Sequence, residues 1–366
     1  MASANYECYR LAVSLLGRAA RRFAVPLALG AIACNSQWVS LGRAHQSSNA
    51  SAGSGGTTSE TLQGAGRPST GGNPDTIANQ GGNSAGSGGQ TTLPPELTEP
   101  KFTNVRRVFA TISGYADDNP TLTSDLRELY FSSKNRPGGK GNVDVWVAKR
   151  DNSGMDFGEP VAVAEVNTAG VDGSPAISAD GLTLWVGAEL QSGGLGGYDI
   201  LRATRQSRAV AFGAPELVPE LSSDKDDIPR PPGYQGLTMP LASRRDYSIY
   251  QTYLSTRDTL NTSFGTPTLV TELVVEGANL SDAFLTDDGL VIYFAHSVAE
   301  RSDLFVSRRP SLELPFGAAL PLTTINTEQD DRDPWLSPDG TMLFFSSDRD
   351  NPGTLSLYQA TLVSNP

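Results

Sequence analysis

Aspartate recurs along the C-terminal two thirds of this chain in a spaced pattern. Asp117 and Asp118, Asp172, Asp226 and Asp227, Asp282, and Asp331 with Asp333 stand at intervals of about fifty residues. Carboxylates gathered from such positions can bind a cation such as calcium or a basic peptide, or act as general acid and base. They can also do no more than close local Asx-type turns. Other catalytic chemistry is thinly represented. His45 and His296 are the only histidines, and His296 is expected at the end of a strand in a surface or rim position. No Gly-x-Ser-x-Gly elbow supports a serine nucleophile. Cys8 and Cys34 fall outside the patterned region, so neither a zinc cluster nor a disulfide is expected there.

The elements that position the aspartates are repeats. Five segments align: Ser124-Asp125-Leu126 leading into Leu129-Tyr130-Phe131, Ala179-Asp180-Gly181 into Leu184-Trp185-Val186, Tyr234-Gln235-Gly236 into Met239-Pro240-Leu241, Asp287-Asp288-Gly289 into Ile292-Tyr293-Phe294, and Pro338-Asp339-Gly340 into Leu343-Phe344-Phe345. The third residue of each turn recurs after 55, 55, 53 and 51 residues. Asp-Gly between two apolar runs is a tight hairpin signal, because glycine accepts positive φ without a Cβ clash. A third run follows, as in Val143–Val147, Tyr198–Leu201, Tyr247–Tyr250, Ser302–Val306 and Leu355–Tyr358. In four copies a Phe-Gly turn and a short fourth run then complete the unit. Pro240 predicts a bulge or a weakened ladder in its strand.

Four antiparallel strands per copy, with a second strand apolar on both faces, describe the stacked blades of an all-β propeller. The repeats cover about 117–167, 172–221, 226–275, 281–325 and 331–363. The last copy lacks a fourth strand, and Phe102–Thr111 reads as an orphan strand that would close the ring. Five blades are therefore expected, with six as the alternative.

Asp333-Pro334-Trp335-Leu336-Ser337-Pro338-Asp339-Gly340 with Phe344-Phe345-Ser346-Ser347-Asp348-Arg349, and Gly173–Gly181, resemble the WD40-like β-propeller repeat of periplasmic Tol–Pal propellers. The resemblance spans about residues 102–363 and implies a fold, not an activity. Six blades would be the count it favours.

Strand parity puts the Asp-Gly and Phe-Gly turns on one face, here the bottom. The strand 2–3 loops and the blade-to-blade connections share the other face, the top. The eight aspartates should then ring the top mouth of the channel. Arg136, Arg244, Arg301 and Arg349 are placed to neutralise them. The 2–3 loops stand further out, and Glu189 and Glu300 are the chief glutamates of that face.

The N-terminus reads as an address. Arg18, Arg21 and Arg22 precede an apolar run, Phe23 to Ala33, too short to span a bilayer. Ala31-Ile32-Ala33-Cys34 resembles a bacterial lipobox with Ala31 in the place of the usual Leu, and implies lipidation of Cys34. Asn35 then points to the outer membrane, facing the periplasm or the cell surface. Residues 1–33 are read as signal, 34–100 as a Gly/Ser-rich linker and 101–366 as the propeller. A linker of that length has a root-mean-square span on the order of 45 Å.

The net charge is −12, and the first hundred residues carry six Arg and five acids, so the propeller region holds −13. That balance excludes nucleic acid as a partner class. The expected function is a monomeric, lipid-anchored envelope module that binds a protein or peptide, preferably basic, without a cofactor. The alternative is a glycan-binding or glycosidase-like propeller using carboxyls that face each other across the channel.

Overall fold

A computed structural model describes residues 98–110, 114–298 and 301–363. The expected signal segment, Cys34, His45, most of the linker, and Glu300 lie outside the described residues. Among the described residues twenty strands form five four-stranded antiparallel sheets. Blade 1 holds β2 (Ala116–Leu122), β3 (Glu128–Lys134), β4 (Val143–Lys149) and β5 (Val161–Ala162). Blade 2 holds β6 (Asp172–Ile177), β7 (Thr183–Glu189), β8 (Tyr198–Thr204) and β9 (Glu216–Leu217). Blade 3 holds β10 (Asp227–Pro229), β11 (Thr238–Ser243), β12 (Gln251–Thr256) and β13 (Thr268–Leu269). Blade 4 holds β14 (Asn279–Leu285), β15 (Val291–Val298), β16 (Arg301–Arg308) and β17 (Leu320–Pro321). Blade 5 is assembled from both ends of the described chain: β18 (Asp331–Leu336), β19 (Met342–Ser347), β20 (Ser356–Leu362) and β1 (Phe102–Arg107). Phe102 pairs with Leu362 and Arg107 with Tyr358, so the orphan strand supplies the missing fourth member. The fold is a closed five-bladed propeller.

The second strands carry the packing. Leu343, Phe344 and Phe345 of β19 are fully buried although consecutive strand residues face opposite ways. Phe344 packs with Leu129 and Phe131 of blade 1, whereas Phe345 packs with Tyr293 and Ala295 of blade 4. The other blade junctions hold equivalent clusters, and each buried aromatic contributes about 1.5–3 kcal/mol.

The bottom turns share one design. Leu126, Gly181, Gly236, Gly289 and Gly340 all adopt positive φ, between 59° and 78°. The carbonyls of the first four accept Nε–H bonds from Arg150, Arg205, Arg257 and Arg309, at 2.6 to 2.9 Å. Each guanidinium lies 4.2 to 4.7 Å from the ring centre of Phe157, Phe212, Phe264 or Phe316, the aromatic residue of its Phe-Gly turn. The Phe-Gly signal thus marks an arginine–aromatic clamp at the bottom of each of the first four blades.

Two local expectations are corrected. The third strand of blade 3 runs over Gln251–Thr256 and not over Tyr247–Tyr250, which form the preceding loop. Pro240 causes no bulge: β11 pairs in unbroken register with β10 and β12. The Pro240 carbonyl accepts the Arg230 N–H at 3.0 Å, so its missing N–H faces the same side, beyond the end of the short β10.

Candidate functional site at the channel

The eight aspartates do not form one ring. Asp117, Asp172, Asp227 and Asp331 lie at or near the head of the innermost strand in blades 1, 2, 3 and 5 and are at most 3% exposed. Asp172, Asp227 and Asp331 each accept both the N–H and the hydroxyl of the residue four positions earlier: Thr168, Ser223 and Thr327, at 2.5 to 2.8 Å. Three of the four also hold an arginine from the 2–3 loop: Arg136 to Asp117 at 2.7 Å, Arg245 to Asp227 at 2.6 Å and Arg349 to Asp331 at 2.5 Å. The Nε–H of each arginine is donated to a strand-end hydroxyl, Ser133, Ser243 or Ser347. Its guanidinium lies over Trp146, Tyr253 or Tyr358. These carboxylates fasten loops to blades, and their charges are matched internally.

Blade 2 breaks the pattern. Ala188 and Leu190 replace the serine and the arginine, and the buried Asp172 Oδ1 has no hydrogen-bond partner. Burial, first, raises the Asp172 pKa, and the Asp144 charge adds to it.

Asp226 belongs to neither set. It is half-buried between blades and binds Arg244 at 3.0 Å, the Tyr250 hydroxyl at 3.1 Å and the Tyr198 N–H at 3.3 Å. Arg301, also expected near the rim, pairs with Asp303 at 2.7 Å.

Asp118, Asp282 and Asp333 meet on the axis. The first strands of blades 1, 2, 4 and 5 shift register midway, and Asn119, Ser174, Asp282 and Asp333 take positive φ there. A bulge rotates its residue out of the alternating pattern. Arg230 of blade 3 donates to the Asn119 Oδ1 of blade 1 at 2.5 Å and lies 3.6 Å from Asp333 of blade 5. Blade 3 neighbours neither blade 1 nor blade 5, so these contacts can only cross the channel. The Asn119 N–H bonds Asp333 at 3.2 Å, and Arg332 lies 3.6 Å from Asp118 and 3.8 Å from Asp333. Three carboxyls thereby share two guanidinium groups.

The charges are strained accordingly. Burial, reinforced by the Asp333 charge and only partly offset by Arg230 and Arg332, pushes the Asp282 pKa up to about 7. Burial and Asp333 push Asp118 up to about 6 against the pull of Arg332. Burial opposes the Arg332 charge, but Asp333, Asp118 and Asp282 outweigh it and hold its pKa above the ordinary value. Asp333 and Arg230 are sealed, at 1% exposure each, while Asp118, Asp282 and Arg332 remain half-buried. The Arg230 Nε is buried without a hydrogen-bond partner.

At the bottom end the channel widens into an apolar cavity of about 190 Å³. Leu122, Ile177, Pro231, Leu285 and Leu336 line it, one from each blade.

Sequence reading did not single out Asn119, Ser174, Arg230 and Arg332. A signal was present for three of them. Asn119-Pro120, Ser174-Pro175 and Asp333-Pro334 repeat one X-Pro step two residues after Asp117, Asp172 and Asp331, and Arg230-Pro231 follows Asp227 by three, just past β10. His296, expected at the surface or rim, is instead buried. Its ring stands edge-on to Phe305 at 5.4 Å, its Nε2 is unpartnered, and burial lowers its pKa. Glu189 is exposed at the end of β7. Among the described residues no group of three or more His, Cys, Asp or Glu side chains could hold a metal ion. Among them, too, no helix is long and apolar enough to cross a membrane.

No protein-family model and no curated protein matches the sequence. Solved structures match the fold. A thermostable family-43 glycoside hydrolase aligns with a TM-score of 0.50 at 12% identity, over 71% of this chain and 94% of its own. TolB from Acinetobacter baumannii aligns with a TM-score of 0.43 at 16% identity over 70% of this chain, which spans 56% of that protein. TolB from Agrobacterium tumefaciens aligns with a TM-score of 0.43 at 18% identity, over 66% of this chain and 73% of its own. At these identities the likeness is one of fold alone, and one fold hosts many tasks.

Proposed function

We propose that the chain is a non-catalytic envelope module that captures a basic protein or peptide segment at the top mouth of its propeller. The supporting observation is the charge imbalance on the axis, three carboxyls against two guanidiniums, with Asp118 and Asp282 half-open. A lysine or arginine side chain placed beside Asp282 would take the role of the proton that burial and Asp333 now favour. Asp117, Asp227 and Asp331 do not compete for that ligand, since their own arginines neutralise them. With Cys34 as the lipidated residue, the module acts as a monomer tethered to the outer membrane.

The test uses a tetralysine peptide and calorimetric titration. Affinity should rise from about pH 5 to about pH 8, as Asp118 and Asp282 lose their protons. It should fall with added salt. Asp118→Asn with Asp282→Asn should remove binding and leave the fold intact. Affinity that ignores both pH and the double substitution would sink the proposal.

A second reading has its own observation. A half-buried carboxyl with a raised pKa is what a general acid requires, and Asp282 and Asp118 both qualify. Against it, Asp333 is sealed between Arg230 and the Asn119 N–H and is closed to substrate. Release of nitrophenol from aryl glycosides, abolished by Asp282→Asn, would replace the binding reading with a hydrolytic one.

A further inference from the structure

We infer that the bottom face of the propeller docks on a lipid bilayer surface, with an apolar crest from each of blades 1 to 4 entering the headgroup boundary. The crests are the turns between the third and fourth strands. In each, an amide bonds the carbonyl three residues earlier: Met155 to Asn152, Val210 to Ser207, Thr262 to Thr259 and Leu314 to Ser311, at 3.2 to 3.3 Å. Met155, Val210 and Leu314 close three of these turns, and Leu260 lies inside the fourth. Their exposures are 50%, 50%, 50% and 61%. Such a turn is held by its backbone bond and is served equally well by a polar residue. Three apolar residues at one place in the repeat, and Leu260 two residues earlier in its own turn, are therefore not required by folding.

Three further observations select a bilayer as the occupant. First, among the described residues the exposed large apolar side chains are unevenly divided: Val363 joins the four crests on the bottom and Val161 lies on the outer strand β5, leaving Leu195, Tyr247 and Val275 on the top. Second, the chain enters and leaves on the bottom face, where Phe102 pairs with Leu362 and the Val363 N–H bonds the Lys101 carbonyl at 2.7 Å. An anchor N-terminal to Phe102 therefore pulls on this face. Third, the channel-mouth carboxyls lie on the opposite face. Anionic headgroups repel that face, whereas the bottom turns mix signs, as in the Asp125–Arg208 pair at 2.7 Å. Apolar crests around a face of balanced charge suit shallow, reversible insertion, enough to orient a tethered head. The inference extends the envelope reading above, but its test does not depend on lipidation.

The test uses the full chain carrying Cys8→Ala and Cys34→Ala, and vesicles of phosphatidylethanolamine and phosphatidylglycerol. Co-sedimentation should fall at least about tenfold when Met155→Ser, Val210→Ser, Leu260→Ser and Leu314→Ser are combined. Melting should stay unchanged, because all four side chains are exposed. A polarity-sensitive fluorophore on Val210→Cys should shift to the blue on vesicle addition, and one on the top-face Asn351→Cys should not. Absence of vesicle binding by the parent, equal binding by the quadruple variant, or a shift only at Asn351→Cys would overturn the inference. Tetralysine affinity, measured on the same proteins, reports the top-face reading separately and should be unaffected by the four serines.

Discussion

Asp282 carries the most consequential chemistry of any single residue in this chain. Its carboxyl accepts the Ser281 hydroxyl at 2.9 Å and faces the Asp333 charge. Its folded pKa is raised, so the folded state keeps a proton that the unfolded chain releases near pH 4. Its stabilising contribution is complete below about pH 4 and is lost as pH rises through about 7. Asp118 follows the same sign with its loss centred near 6. Asp282→Asn keeps an oxygen for Ser281 and removes the charge. The variant should melt several degrees above the parent at about pH 8, a gain on the order of 2 kcal/mol, and close to it at about pH 4. Melting curves at the two pH values decide the point, and a pH-independent offset would mean that Asp282 is not held protonated. Binding and stability are linked here, because the ligand proposed for the mouth relieves the repulsion that the proton now relieves.

The repeating element is the rim fastening of Asp, Ser, Arg and an aromatic ring, complete in blades 1, 3 and 5. Removing an arginine from such a set leaves a buried carboxylate uncompensated, a loss of about 3–5 kcal/mol. Blade 2 already stands in that state, with Asp172 fully buried and one oxygen unpartnered. Installing Ala188→Ser and Leu190→Arg together should raise the denaturant midpoint, by about 1–2 kcal/mol in stability. Arg349→Ala should lower it by more. If the blade 2 pair destabilises, Leu190 matters more through its packing against the blade 2 core than Asp172 does through its missing partner. Either outcome leaves Asp172 outside the ligand site, because its side chain has no exposed surface.

At the scale of the molecule, β1 is the closure. Six residues from before the first repeat pair with β20, and Phe102 joins the core between blades 4 and 5. Without them β20 becomes an open edge with unpaired backbone groups. Deleting residues 98–107 should abolish a single cooperative melting transition and promote aggregation, read by scanning calorimetry and light scattering. A truncated protein that melts like the parent would show that the ring holds without this strand. Closure also fixes where the two ends of the described chain lie, and so couples the ring to the face assigned to the bilayer.

The one-dimensional pattern determined the blades. Five turn signals in register, double-sided apolar second strands such as Leu343-Phe344-Phe345, and one surplus strand at Phe102 left little freedom in the architecture. All of these are properties of local spacing and of apolar content, which a sequence carries directly. The same spacing put eight aspartates at one mouth, and there it reached its limit. Register locates a residue along a strand but not its rotation about the strand axis. The bulges at Asn119, Ser174, Asp282 and Asp333 alter that rotation. Nor does spacing report which arginine crosses the channel, since Arg230 meets Asn119 from 111 residues away. Each rim fastening is made within one blade, whereas the axial carboxyls meet residues of other blades, with Arg230 crossing to Asn119 and Asp333, and those contacts exist only once the ring has closed.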